Sequence, residues 1–434
     1  MTADAVVVGA GVIGASVALE LAKAGRRVVV VDKLGGPGLG STSASSSVVR
    51  FNYSTLDGVA TAWESMHHWT DWANQLDGHP EEAPVARLLR TGLVMLDAPV
   101  APKDRVLPMF DQLGIPYEVW DAAELAARVP GIDTGRYWPP KRLDDEAFWA
   151  GPTGQLGAFF SPDAGYVDDP QLAALNLADA ARRKGVTFLF RHEVSAVRRA
   201  NGKVAGLQFA DGQRIDTGVV VNVAGPWSSA MNRIAGVCED FTISVRPMRQ
   251  EVHQVPAPPG FNSEDRLGPV VADLDLGIYV RGAPGDAMLV GGTEPECEPL
   301  QWLDDPDDVY PYPTAAVYEA QLTRAARRFP KLTIPGTPRG IAGVYDVASD
   351  WTPIYDRTSL DGFYVAMGTS GNQFKNAPLA GRFMAAIVGA VEDGHDHDSE
   401  PLRYVGEYTG AAINLAAFSR KRPVNTASTG TVMG

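Results

Sequence analysis

The chain has 434 residues, of which 45% are apolar, and 38 Lys and Arg residues against 52 Asp and Glu residues give a formal net charge of −14. A chain of this length and apolar content can bury a large core, which excludes a small disulfide-stapled domain and a disordered chain. The acidic balance and the lack of a basic run argue against a nucleic-acid partner.

The cysteines and the first residues bear on location. Cys238 and Cys297 have a spacing that fits neither a zinc site nor a redox CxxC pair, so we expect free thiols in a reducing compartment. Met1 is followed by neither a basic segment nor a cleavage site, and no apolar run is long enough to span a bilayer. The prediction is a cytoplasmic protein without a membrane span, whose fold begins at its first strand.

The first elements are a strand, a glycine-rich turn and a helix. The run 5–8 predicts the strand, and the run 15–24 predicts the helix. The turn between them has the pattern GxGxxG, whose glycines permit a tight turn, close approach to a pyrophosphate, and close packing of the helix on the strand. The helix N-terminus favours the phosphate charge. The predicted dinucleotide contacts of this turn are Gly9, Gly11, Val12, Ile13 and Gly14.

A second strand over 26–31 ends in Asp32, eighteen positions after Gly14, close to where an acidic residue accepts hydrogen bonds from an adenosine ribose. The turn does not decide between FAD and NAD, because both place a pyrophosphate there. The Gly- and Ser-rich run 35–47 favours close contact with a flat, polar cofactor, and a flexible linker is the alternative. The predicted contacts in this part are Asp32, Lys33, Ser41, Thr42 and Ser43.

Further motifs follow along nearly the whole chain, in the segments 40–50, 163–168, 219–228, 343–353 and 368–375. In order and spacing, these motifs and the glycine turn resemble the D-amino-acid oxidase superfamily of flavoproteins, especially its monomeric sarcosine oxidase, glycine oxidase and dimethylglycine dehydrogenase branch. The resemblance implies that the dinucleotide is FAD. Some relatives tether the flavin through a Cys or a His at the positions of Gly343 and Ala44, so we expect FAD to be bound non-covalently here.

The predicted fold class is α/β, with a Rossmann-type FAD-binding domain interleaved with a substrate domain built on a mostly antiparallel sheet. The Rossmann-like segments recur at three separated places, which indicates the interleaving. The FAD-binding domain is predicted over 1–87, 152–234 and 336–434, and the substrate domain over 88–151 and 235–335. Strands of the substrate sheet are predicted over 91–96, 244–254, 277–281 and 287–291.

Two later strands also end in glycine-containing loops. The strand 219–223 runs into Ala224 and Gly225, and the strand 363–367 runs into the loop 368–372, so the backbone can approach a cofactor at both places. The resemblance places the second loop against the isoalloxazine, with the N-terminus of a helix over 379–391 pointing at its pyrimidine edge. The remaining predicted cofactor contacts are Val194, Ala224, Gly225, Trp227, Gly343, Gly371, Asn372, Gln373, Phe374 and Lys375.

The candidate catalytic residues follow from the charge of the expected substrate. A carboxylate held over a flavin needs fixed positive charge, which Arg50 and Lys375 can supply. In monomeric sarcosine oxidase the matching Arg and Lys bind the substrate carboxylate; surface charge or a contact to flavin alone is the alternative. Tyr279 and Tyr345 resemble aromatic residues that wall the site, and His253 is a candidate polar neighbour on a substrate-domain strand.

The acidic run 304–308 and the run 395–398 contain residue types that bind metals, but turn-like surroundings favour solvated charged loops, so no metal is predicted. The favoured reaction is oxidation of the C–N bond of a small amine or amino acid, with secondary, tertiary or N-methylated substrates preferred, to an imine that hydrolyses. The alternatives are oxidation of a 2-hydroxy acid or a primary amino acid, a flavin-carrying subunit of an electron-transfer complex, and a nicotinamide-dependent dehydrogenase.

The choice between oxidase and dehydrogenase rests on one strand. In monomeric sarcosine oxidase a lysine on a substrate-domain strand promotes the reaction of the flavin with oxygen, and a fixed cation there stabilises the developing superoxide. The corresponding run 287–292 has no lysine, and none occurs between Lys203 and Lys331. A dehydrogenase is therefore slightly favoured, although Arg281 or Lys375 could substitute. The electron acceptor, whether oxygen, a quinone or an electron-transfer protein, is left open.

Overall fold

A computed structural model describes residues 1–78 and 83–434. Its α-helices are α1 (Val12–Lys23), α2 (Leu56–Thr70), α3 (Trp72–Gln75), α4 (Lys103–Leu113), α5 (Ala122–Arg128), α6 (Pro170–Arg183), α7 (Ser228–Ala235), α8 (Ala315–Arg328) and α9 (Ala377–Glu392). Its strands are β1 (Ala5–Val8), β2 (Val28–Asp32), β3 (Val48–Val49), β4 (Leu88–Leu89), β5 (Leu93–Leu96), β6 (Glu118–Trp120), β7 (Ala158–Ser161), β8 (Gly165–Val167), β9 (Thr187–Phe190), β10 (Val194–Ala200), β11 (Lys203–Phe209), β12 (Arg214–Ile215), β13 (Val220–Asn222), β14 (Val245–Pro256), β15 (Val270–Asp273), β16 (Ile278–Ala283), β17 (Ala287–Gly292), β18 (Gln301–Trp302), β19 (Gly340–Ala348), β20 (Ile354–Arg357), β21 (Phe363–Met367), β22 (Arg403–Val405) and β23 (Ala412–Asn414).

A six-stranded sheet with the order β20-β21-β13-β1-β2-β9 forms the cofactor side of the molecule. Its strands are parallel except β20, which pairs antiparallel with β21 at the edge. The valine runs of β1 and β2 are buried, as expected for parallel strands covered on both faces. Helices α1, α6 and α9 cover one face, while β10, β11 and α7 cover the other. This arrangement confirms the predicted Rossmann-type sheet.

A nine-stranded sheet forms the other side, with the order β18-β14-β17-β16-β15-β5-β7-β6 and β19 paired to β14. All of its pairings are antiparallel except that of β5 with β15, which confirms the prediction of a mostly antiparallel sheet. Helix α8 packs on one face of this sheet through Tyr318, Leu322 and Ala325. The opposite face contributes to the site described below.

The predicted domain ranges stay a prediction, and the strand pairings bear on two of their edges. Strands β7 and β19 lie in ranges assigned to the FAD-binding domain, yet both are hydrogen-bonded in the nine-stranded sheet. Each begins a few residues after a predicted boundary, at 152 and 336, so the nine-stranded sheet continues past both boundaries. Of the predicted range 1–87, residues 79–82 lie outside the described part.

Candidate active site

A cavity of about 350 Å³ lies at the carboxyl ends of parallel strands in the six-stranded sheet. Its wall includes Val8 at the end of β1, Val31 in β2, and Val223 directly after β13. Ligands of open α/β sheets bind outside these strand ends, and the volume is in the range of cofactor pockets. This cavity is therefore the candidate cofactor site.

The glycine turn brings the backbone to the edge of this cavity. Gly9 has φ +110°, and a Cβ on it would lie 2.3 Å from the carbonyl oxygen of Val223. A Cβ on Gly14 would lie 2.0 Å from the carbonyl oxygen of Gly9, so α1 packs directly on the turn. The N–H of Val12, the first residue of α1, donates to the hydroxyl of Thr42 over 3.1 Å. The N-terminus of α1 thus lies at the cavity, where an anion is favoured.

Asp32 closes the turn from the end of β2. Its Oδ2 accepts a hydrogen bond of 2.7 Å from the N–H of Ala10, and its Oδ1 accepts one of 2.7 Å from the N–H of Leu34. These bonds hold the carboxylate between the glycine turn and the segment after β2, and the side chain lines the cavity. The position is the one expected for an acid that binds an adenosine ribose.

Lys33, Trp227 and Asp307 form a cluster at the wall of the same cavity. Lys33 Nζ lies 2.6 Å from Asp307 Oδ2 and 4.3 Å from the centroid of the Trp227 ring. The indole N–H of Trp227 donates to Asp307 Oδ1 over 3.0 Å. Asp307 belongs to the acidic run predicted to be a solvated loop; it is largely exposed, yet it also contacts the cofactor side of the molecule.

Most predicted cofactor contacts line this cavity, namely Gly9, Gly11, Val12, Ile13, Gly14, Asp32, Lys33, Ser41, Thr42, Val194, Ala224, Gly225, Trp227, Gly343, Gly371, Gln373 and Phe374. Asn372 and Lys375 line a smaller adjoining cavity instead. Ser43 lines neither cavity, so its contact with the cofactor stays a prediction. Its side chain is exposed and donates to the carbonyl of Gly40 over 3.0 Å, so it stabilises the loop.

The smaller cavity, of about 50 Å³, lies between the nine-stranded sheet and the loop after β21, and it shares several wall residues with the larger one. The shared residues include Tyr345, Gly371 and Phe374. Arg50 and Lys375, predicted to bind a substrate carboxylate, both line it. A substrate in the smaller cavity would therefore lie beside the cofactor site.

Arg50 and Lys375 are buried, with 4% and 2% of their surface exposed. Within the described residues, only backbone carbonyls accept their hydrogen bonds: Arg50 donates to Asn52 and, over 2.6 Å, to Val432, and Lys375 donates to Asn372 over 2.6 Å. Neither forms an ion pair with a described carboxylate. Burial lowers the pKa of Arg50, and burial together with the nearby Arg50 charge holds the pKa of Lys375 well below its usual value. The pocket therefore favours an anion.

Tyr53 contacts both cations and is not among the residues predicted from the sequence. Its ring centroid is 4.7 Å from Arg50 Cζ and 5.1 Å from Lys375 Nζ, within cation–π distance of both. Its hydroxyl donates to the carbonyl of Asn372 over 2.7 Å. Burial raises the pKa of Tyr53 to about 12, so it is a neutral phenol. The signal in the sequence that could have identified Tyr53 is its position three residues after Arg50.

Tyr279 and Tyr345 both line the smaller cavity. The hydroxyls of Tyr279 and Ser46 are 2.8 Å apart and share a hydrogen bond, whereas the hydroxyl of Tyr345 bonds to no described residue. A Cβ on Gly371 would lie 2.3 Å from the Tyr345 ring, so this loop glycine is what lets the ring reach the wall. Burial raises the pKa of both tyrosines, which keeps them neutral.

His253 lines neither cavity, and the role predicted for it in the site stays a prediction. It is fully buried, with Nδ1 2.9 Å from Gln321 Oε1 and Nε2 3.0 Å from Glu251 Oε2, on the face of β14 that packs against α8. Its strand neighbours Gln250 and Val252 line the cofactor cavity instead. Side chains alternate between the two faces of a strand, so a shift of one residue separates a site residue from a core residue.

Asp346 is a further buried acid at the cofactor cavity that the sequence analysis did not identify. Its Oδ2 accepts from the N–H of Gly368 over 2.7 Å, and its Oδ1 accepts from the hydroxyl of Thr369. These bonds tie the end of β19 to the loop after β21. The described residues contain no group of three or more His, Cys, Asp or Glu side chains that could hold a metal ion.

A dinucleotide cavity on a Rossmann-type sheet, beside a small pocket lined by cations, defines a dinucleotide-dependent oxidoreductase. Residues 4–387 match the FAD dependent oxidoreductase family (DAO), and the chain belongs to this family. It is therefore an FAD-binding oxidoreductase. The glycine turn fits the group, because a Cβ at Gly9 or Gly14 would collide with backbone. No helix of the described residues is long and apolar enough to cross a membrane.

Several similar proteins are named for sarcosine, glycine or proline. The chain is 26% identical over 392 residues to the sarcosine oxidase subunit beta of Rhodobacter capsulatus, covering 89% of this chain and 84% of that one. It is 25% identical to the glycine oxidase of Geobacillus kaustophilus, covering 91% and 94%. The crystal structure of L-proline dehydrogenase from P. horikoshii superposes with a TM-score of 0.73 at 22% identity, covering 91% and 94%, and so shares the fold.

Proposed function

We propose that this protein oxidises the C–N bond of a small amino acid, secondary, tertiary or N-methylated, whose carboxylate binds between Arg50 and Lys375. The observation that carries the proposal is the pair of buried cations without a described carboxylate partner, in a pocket that adjoins the cofactor cavity. A buried unpaired charge is costly, so such a pair favours an anionic ligand. Relatives named for sarcosine and glycine support the same substrate class.

Each part of the pocket has a distinct task in this proposal. Arg50 and Lys375 orient the substrate by its carboxylate, and Tyr279 and Tyr345 exclude water from the reacting carbon. FAD bound in the larger cavity would supply the acceptor for a hydride from the carbon attached to nitrogen. The substrate nitrogen supplies the electron pair that forms the C=N bond, and water then hydrolyses the imine. The reaction needs a neutral amine and no strong base.

Substrate class is tested by anaerobic bleaching of the flavin absorbance with glycine, N-methylglycine, N,N-dimethylglycine, proline and lactate. We expect the fastest bleaching with a secondary or tertiary amino acid, that is, with N-methylglycine, N,N-dimethylglycine or proline. The carboxamide of that compound should react much more slowly, because it lacks the charge that Arg50 and Lys375 bind. Bleaching by lactate alone would move the assignment to 2-hydroxy-acid oxidation, and bleaching by none would overturn it.

We further propose that the enzyme acts as a dehydrogenase, because β16 and β17 carry Arg281 as their single Lys or Arg side chain. Arg281 is turned to the loop after the glycine turn: it donates to the carbonyl of Ser46 over 3.1 Å, and its Cζ lies 3.8 Å from the centroid of the Tyr166 ring. A cation that promotes reaction with oxygen must lie over the flavin. Arg281 is held against Ser46 and Tyr166 instead, which supports the dehydrogenase proposal.

The test is the reoxidation of substrate-reduced enzyme. Mixing with aerated buffer should reoxidise it slowly, and an artificial quinone acceptor should reoxidise it quickly. Fast reoxidation by oxygen with stoichiometric peroxide would identify an oxidase instead. The physiological acceptor stays open, and the cytoplasmic location stays a prediction.

A further inference from the structure

Glu294 is a buried acid that the proposed reaction does not use. It follows β17 in the turn Gly292-Thr293-Glu294-Pro295, has φ +50°, and is 8% exposed. One carboxyl oxygen accepts a 2.7 Å hydrogen bond from the N–H of Val432, and the other is buried without a partner in the described residues. A carboxyl group in such a place is costly, so packing alone does not explain it.

The bond to Val432 connects Glu294 to the substrate pocket. Val432 and Met433 line the smaller cavity, and the carbonyl of Val432 accepts a 2.6 Å hydrogen bond from Nη2 of Arg50. One residue, 432, is therefore held at its N–H by the acid and at its carbonyl by the arginine. Sequence separations of 138 and 382 residues mean that the tertiary fold alone assembles this chain of contacts.

We propose that Glu294 is a positioning residue of the substrate site, which acts through Val432 to hold the segment 431–433 against Arg50. The inference rests on the proposed function, since it takes Arg50 to bind the substrate carboxylate. Losing the Glu294 bond frees the Val432 carbonyl to move, and the guanidinium that donates to it loses its fixed direction. A small displacement of a bidentate donor weakens carboxylate binding strongly.

The electrostatic surroundings of Glu294 agree with this role. Burial raises its pKa to about 8, against the opposing effect of the Val432 N–H, so the group is mostly neutral at neutral pH. The titratable groups that act on it are Tyr279 and Tyr345, both neutral by burial, with Arg50 beyond Val432. A neutral carboxyl can accept from Val432 without competing with the substrate carboxylate for Arg50.

The experiment compares Glu294→Ala, Glu294→Gln and Glu296→Ala in the FAD-loaded enzyme. Acetate binding is measured from the perturbed flavin absorbance, and KM and kcat are measured with the best amino acid of the panel. Glu294→Ala should weaken acetate binding and raise KM at least about tenfold, with kcat changed less than about threefold. Glu294→Gln keeps a carbonyl acceptor and should restore most of the affinity. Glu296, two residues away and exposed, is the matched control.

A second variant guards against misfolding. Val432→Pro keeps Glu294 but removes the donor N–H, so it should raise KM by a similar factor, and adding Glu294→Ala should raise it little further. Unchanged acetate affinity in Glu294→Ala, or equal losses in the Ala and Gln variants, would overturn the inference alone. Acetate binding no tighter than acetamide binding in the wild type would overturn the proposed function.

Discussion

Arg50 and Lys375 lie against the same ring, that of Tyr53, and both are held by backbone carbonyls rather than by carboxylates. Carbonyl dipoles offset only part of the cost of burying a charge. Burial and the nearby Arg50 charge hold the pKa of Lys375 well below its usual value. An incoming carboxylate would reverse this shift.

Acetate binding should therefore be accompanied by proton uptake. An anion beside Lys375 Nζ raises the pKa of the amine, which burial had lowered, so binding favours the ammonium form. A titration at pH 8 in weak buffer with an indicator dye should show uptake of up to about one proton per site. Lys375→Met should abolish the uptake. Acetate that binds to the wild type without any uptake would show that Lys375 is already charged.

Because the pKa of Glu294 is raised in the fold, this residue should make the protein less stable as the pH rises. The carboxyl has an ordinary pKa of 4.5 in the unfolded chain and about 8 in the fold. Its contribution is fully present below the lower value and is lost as the pH rises towards the higher one, by up to about 1.4 kcal/mol per pH unit. The free energy of unfolding, measured with urea at pH 5.5 and at pH 7.5, should fall by about 1 to 3 kcal/mol less in Glu294→Gln than in the wild type. Parallel losses in both proteins would contradict this.

At the scale of elements, the glycine turn fixes the distance between β1, α1 and the cofactor cavity. A Cβ at Gly14 meets the Gly9 carbonyl oxygen at 2.0 Å, so Gly14→Ala should push α1 from the turn. We expect a loss of FAD affinity of at least about tenfold and about 2 to 4 kcal/mol of stability. The measurements are fluorescence titration of the apoprotein with FAD and urea unfolding.

Gly389 in α9 provides the matched control. A Cβ there meets no atom within 4 Å, so Gly389→Ala should leave FAD affinity unchanged and add up to about 1 kcal/mol of stability. If Gly14→Ala bound FAD as tightly as Gly389→Ala, the turn would not set the cofactor site.

The sequence predicts elements well where local chemistry decides them. The strand 363–367 has the predicted bounds, and the glycine turn, β1 and β13 lie as expected within one residue. Helix α1 begins three residues before the predicted 15, because the extended Gly11 serves as its N-cap and the first turn is buried. What the sequence could not predict depends on tertiary register: the face on which His253 lies, and the contacts of residue 432 with Arg50 and Glu294.

At the scale of the whole molecule, two sheets meet at one site. The six-stranded sheet supplies the cofactor cavity, the nine-stranded sheet supplies Tyr279 and Tyr345, and the loop 368–375 belongs to both cavities. Gly343 and Ala44 meet across the interface, where a Cβ on Gly343 would lie 2.8 Å from the Ala44 Cβ. Neither residue has an atom that could bond covalently to a flavin.

FAD should therefore leave the protein on denaturation. Acid precipitation of the purified yellow protein should release FAD into the supernatant and leave a colourless pellet. The variant Gly343→Cys, which places a nucleophile at the interface, serves as a comparison, because a covalently bound flavin would stay in the pellet. Yellow colour in the wild-type pellet would contradict non-covalent binding.

The binding of a substrate carboxylate by Arg50 and Lys375 is tested most directly by one affinity measurement. Acetate and acetamide are titrated into FAD-loaded wild type and into Arg50→Met, with the exposed Arg128→Met as control, and Kd is read from the flavin absorbance. We expect Arg50→Met to retain FAD and to weaken acetate binding by about 2 to 4 kcal/mol, roughly 30- to 1000-fold, without affecting acetamide. Equal acetate affinity in Arg50→Met and wild type would contradict the assigned site.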